Sequence, residues 1–126
     1  VDIMTRTVRV LIVDDQEPFR TAARMVVDLT DGFEFVGEAA TGEEGVQLVG
    51  ELSPDLVLMD VKMPGIDGFE ATRRIVTDDP EARVILVSTY DAGEFEQRAL
   101  DARAIAFISK SELGPDELAA AWSEAG

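Results

Sequence analysis

Six side chains able to do chemistry stand where apolar runs stop. "VRVLIV" (8–13) runs into Asp14 and Asp15, and "DLVLM" (55–59) runs into Asp60. "RVILVS" (83–88) ends at Ser88, followed by Thr89, and "AIAFIS" (104–109) is followed by Lys110. Three carboxylates brought together repel one another, so such a cluster persists only around a cation or with one carboxyl protonated. Oxygen ligands without histidine or cysteine select a hard ion, and Mg²⁺ is the natural candidate. Held by one or two carboxylates, it keeps positions open for phosphate oxygens. Lys110 would add a compact mobile charge, and Ser88 a hydroxyl donor. A carboxylate nucleophile, a metal, an ammonium and a hydroxyl are the equipment for accepting a phosphoryl group, where positioning and electrostatics do most of the catalysis. An ionised aspartate needs no general base. The absence of histidine is therefore no obstacle, although it prevents the chain from being a histidine phosphodonor itself.

These groups act together only if the fold brings the strand ends to one rim. Five apolar runs recur, the four above and "FEFVGEA" (33–39). The four are nearly continuous in Val, Ile and Leu, as in strands covered on both faces. The fifth alternates Phe33, Glu34 and Phe35, as suits an edge strand with one wet face. Between them lie helical spacings, Phe19, Ala22, Ala23 and Val26, then Gly45, Leu48, Val49 and Leu52. Thr41 with Glu44, Asp67 with Glu70, and Asp91 with Glu94 match an N-cap followed three residues later by glutamate. Pro115 opens a last helix with Leu118, Ala121 and Trp122 as its apolar stripe. Strands alternating with helices predict an α/β fold, a five-stranded parallel sheet with helices on both faces. Strand order 2-1-3-4-5, the flavodoxin-like arrangement, is expected, and its ligand site lies where the first and third strands part. The domain is expected over residues 8–126, with residues 1–7 a disordered or cloning-derived N-terminus, since Val-Asp-Ile precedes Met4.

The balance of residues excludes several classes. The 126 residues carry a net charge of −15, which repels phosphate backbones and argues against direct DNA or RNA binding. No apolar run approaches the ~20 residues of a membrane span, and no secretory leader is apparent. With no cysteine, a disulfide scaffold and thiol chemistry are excluded, and a cytoplasmic location is expected. Nine arginines against two lysines, Lys62 and Lys110, single out those two positions.

Over residues 8–124 the chain resembles the receiver domain of two-component response regulators, on "LIVDDQ", "LVLMDVKMPGIDG", "ILVSTYD" and "FISK" in that order and spacing. The resemblance implies that Asp60 is phosphorylated by a sensor histidine kinase. It implies Mg²⁺ on Asp60, on Asp15 directly, on Asp14 mostly through water, and on the backbone carbonyl of Lys62. Ser88, Thr89 and Lys110 would contact the phosphoryl group, with Tyr90 and Phe107 as switch aromatics. Ser111 after Lys110, with Tyr90 two places after Ser88, is similar to the NarL/LuxR-type subgroup. Such proteins regulate transcription through a helix-turn-helix DNA-binding domain, which these 126 residues do not contain, and a phosphorylation-dependent homodimer is implied. The chain would not be an enzyme beyond its own phosphoryl acceptance and slow autodephosphorylation. Arg103 and Ala106 stand where the subgroup usually has glycines, which bears on the dimer surface and leaves the phosphorylation chemistry untouched.

Taken singly, the same residues have plainer roles. Asp14 would solvate a strand end, Asp15 would cap the helix that Pro18 helps to start, Phe107 would be core, and "MPG" (63–65) a turn. A flavodoxin-like electron carrier would need a phosphate-cradling loop after the first strand, where "DDQEPFR" is acidic. An aspartyl phosphohydrolase would need a second acid/base carboxylate two residues after Asp60, where Lys62 stands. A receiver that binds partners without phosphorylation would have lost one of the groups present here.

Overall fold

A computed structural model describes residues 7–90 and 92–125. The strands are β1 (Val8–Val13), β2 (Phe33–Ala39), β3 (Leu56–Asp60), β4 (Arg83–Ser88) and β5 (Ala106–Ser109). The helices are α1 (Glu17–Leu29), α2 (Gly42–Leu52), α3 (Gly68–Asp78), α4 (Ala92–Asp101) and α5 (Pro115–Glu124), with a short 3₁₀ turn at Lys110–Glu112. All pairings are parallel and the order is β2-β1-β3-β4-β5, as the alternating pattern predicts.

Alternation along the buried strands divides the core in two. Leu11, Val13, Val57, Met59, Val84 and Leu86 face one cluster, which α2, α3 and α4 complete through Val49, Phe69, Ile75 and Phe95. Val10, Ile12, Leu56, Leu58, Ile85 and Val87 face the other, closed by Ala23 and Val27 of α1 and Leu118 of α5. Complete burial of β1 from Val10 onward and of all of β3 explains their unbroken apolar runs.

Caps set where the helices start. Thr41 accepts the N–H of Glu44 while Glu44 returns a carboxylate to the N–H of Ala40, and Asp67 accepts the N–H of Glu70. The expected Asp91–Glu94 cap and residues 1–6 lie outside the described residues. At α1 the N-cap is Gln16, without a side-chain bond, so Asp15 is not the cap; Asp14 Oδ1 instead accepts the N–H of Gln16 at 2.8 Å.

Three local expectations are corrected. Ala22 is exposed, and the buried stripe of α1 runs through Ala23 and Val27, with Phe19 and Val26 half-buried. β5 has a neighbour on one side only, and three of its four residues are only half-buried. In β2 the register with β1 slips between Val10–Phe35 and Leu11–Gly37, leaving Val36 extra. That bulge reverses the facing of the strand: Phe33 and Phe35 pack on the α1–α5 side, whereas Ala39 joins the opposite cluster.

Candidate functional site

Strand register assembles the rim. β1 and β3 pair Val13 with Met59, so Asp14 and Asp60 leave adjacent strands at one level. β3 and β4 pair Asp60 with Val87, and β4 and β5 pair Ser88 with Ser109, directly before Lys110. Asp60 is the last residue of β3 rather than the residue after it, and all five residues of that strand are buried.

Carboxylate oxygens of Asp14, Asp15 and Asp60 lie within 4.8 Å of one another, with Asp14 and Asp60 buried and Asp15 exposed. Lys110 Nζ sits 2.7 Å from Asp14 Oδ2 and 3.4 Å from Asp60 Oδ1. Its other flank rests on the ring of Phe19, 4.3 Å from the centroid, a cation–π contact that helps to hold the ammonium at the rim. One ammonium against three carboxylates leaves the cluster negative. Burial, and then the charge of Asp14, push the Asp60 carboxyl up to about 6, against the opposing pull of Lys110.

Asp14 also anchors the start of α1, where Arg20 donates to its carbonyl oxygen at 2.8 Å and pairs with Glu38 at 2.6 Å. Asp14 Oδ2 is buried, with Lys110 Nζ at 2.7 Å as its ion-pair partner. Three carboxylates with a single ammonium among them, two of the three buried, fit a hard divalent cation, and the donor set contains oxygen alone.

The remaining predicted residues surround this cluster. Ser88 is buried, and its Oγ accepts the N–H of Tyr90 at 3.1 Å. Thr89 is exposed. Lys62 has an exposed side chain whose Nζ lies 4.1 Å from the centroid of the Tyr90 ring. Phe107 pairs with Leu86, below the rim, and does not join the cluster directly. Phe95 stands between it and Tyr90, edge-on to Tyr90 at 5.6 Å and tilted against Phe107 at 6.1 Å. Sequence reasoning named Tyr90 and Phe107 as switch aromatics and overlooked Phe95. It also placed Phe19 in an ordinary core stripe. Neither contact follows from spacing within one helix, because each is made across elements.

The family described as the response regulator receiver domain matches residues 10–123. The response regulator GacA of Pseudomonas viridiflava is 45% identical over 104 residues, which are 82% of this chain and 48% of that protein. The chain spans about half the length of the curated relatives it matches. Among solved structures, a LuxR-family two-component response regulator from Aurantimonas sp. SI85-9A1 superposes with a TM-score of 0.85 at 34% identity, covering 94% of this chain and 84% of that one. The signal receiver domain of NarL from Mycobacterium tuberculosis gives 0.86 at 29% identity, covering 95% and 97%.

Proposed function

The chain belongs to the response regulator receiver domain family, and from that premise we propose that Asp60 accepts the phosphoryl group that throws a two-component switch. The observation that carries this reading is the meeting of Asp60, Asp14, Asp15 and Lys110 at one rim. A sensor histidine kinase presents a phosphorylated imidazole. An Asp60 carboxylate oxygen attacks phosphorus, the new P–O bond forms as the P–N bond breaks, and the departing electron pair stays on the imidazole nitrogen, which takes up a proton. The product is an acyl phosphate on Asp60.

Asp14, Asp15, Asp60 and the Lys62 carbonyl would hold Mg²⁺, which when bound neutralises charge on the phosphoryl oxygens. Lys110, already shared between Asp14 and Asp60, follows the added charge of about −1.5 to −2. Ser88 gives up the N–H of Tyr90 and donates its hydroxyl proton to a phosphoryl oxygen. Thr89 and Tyr90 then move with the end of β4, and Phe107 responds through Phe95. Loss of the phosphoryl group is by slow water attack.

Output belongs to the whole protein, in the cytoplasm. A helix-turn-helix domain carries it to DNA, with a phosphorylation-dependent homodimer as the active form. No helix among the described residues is long and apolar enough to cross a membrane.

With Mg²⁺ and a small acyl phosphate as donor, intact-mass measurement should show one phosphoryl increment, absent in Asp60→Asn. Equal labelling of the substituted chain would overturn the assignment.

A further inference from the structure

The segment from Lys62 to Ile66 has no regular structure, yet it must offer a backbone carbonyl to a metal that tolerates little misplacement. Its ends are tied: the N–H of Val61 donates to Val87 O at 3.1 Å, and the N–H of Gly68 to Val61 O at 2.8 Å. Between these ties, the sole hydrogen bond to residues 62–66 among the described residues comes from outside the loop. The N–H of Ile66 donates to Glu43 Oε2 at 3.2 Å.

Glu43 stands in the first turn of α2, after the Thr41 cap. Its carboxylate lies flat against Gly65, where an added Cβ would come within 2.6 Å of Oε2 and 2.9 Å of Oε1. Gly65 has φ +81°, a conformation that glycine adopts without strain. The preceding Gly42 packs as closely, since a Cβ there would meet Ile66 Cγ1 at 2.8 Å. The start of α2 and the turn of the loop are thus in direct contact at two residues each.

We propose that Glu43 is a positioning residue that fixes the 62–66 loop, and with it the Lys62 carbonyl, for the divalent cation. This rests on Lys62 being a backbone ligand. Glu43 touches neither the cation nor the phosphoryl group; it acts through the Ile66 N–H. Its role depends on its being a hydrogen-bond acceptor, and a neutral acceptor of the same length performs it.

The test compares wild type, Glu43→Ala and Glu43→Gln in Mn²⁺ titrations followed by the electron paramagnetic resonance of the free ion, with hydrogen exchange at the Ile66 amide. Glu43→Ala should bind Mn²⁺ about tenfold more weakly, the low end for loss of a group that orients a ligand, and its Ile66 amide should exchange faster. Glu43→Gln should restore both. Wild-type affinity in Glu43→Ala overturns the inference, as does equal weakening in Glu43→Gln, which would mark the effect as long-range charge. If the wild-type chain takes up no Mn²⁺, the metal reading itself fails and this inference falls with it.

Discussion

Asp60 is a carboxylate kept in a place that disfavours its charge. Its pKa is raised from 3.8 to about 6 by burial and by Asp14, so between those values the folded chain holds a proton that the unfolded chain has released. Stability from this group is therefore greatest at low pH, falls as pH rises towards 6, and is level above that. The whole effect is at most about 3 kcal/mol. Asp60→Asn should make the metal-free protein more stable at pH 7 by about 1–3 kcal/mol. Urea unfolding in a chelator should show the gain shrinking towards pH 4. A variant less stable than wild type at pH 7 would mean that Lys110 outweighs burial and Asp14. Its place in the rim cluster was legible because a charge at the end of "LVLM" has no structural excuse. Phe19, beneath Lys110, was not legible, because the contact joins α1 to the end of β5.

Among elements, Gly68 sets the start of α3 directly against the backbone at the end of β3. A Cβ there would lie 2.1 Å from the backbone oxygen of Asp60, so neither partner can yield without moving β3 or α3. Gly68→Ala should cost about 1–3 kcal/mol and slow phosphoryl uptake. Gly50→Ala, in α2 with open space around it, should instead stabilise by about 0.5–1 kcal/mol. Chemical denaturation and labelling of the two variants separate backbone contact from helix propensity; equal behaviour would refute the coupling. Caps such as Thr41 and Asp67 could be read from the sequence because their partners lie three residues away. The bulge at Val36 and the exposed edge of β5 could not, since each is defined by what a neighbouring strand supplies or withholds.

For the molecule as a whole, a net charge of −15 and a negative rim should make stability sensitive to divalent cations. Millimolar MgCl₂ should raise the melting temperature above that in NaCl of equal ionic strength, with most of the difference lost in Asp15→Asn. Equal gains in the two salts would assign the effect to screening of overall charge. Topology was legible at this scale because continuous apolar runs leave a short chain few arrangements, and order 2-1-3-4-5 puts the ends of β1 and β3 side by side. Lys62 lies open over Tyr90 and Lys110 lies between Asp14 and Asp60, so every side-chain amine of the chain is at one rim. An acylating reagent thus becomes a footprint of the switch with no engineered label, because the ratio of modification at the two amines follows any rearrangement there.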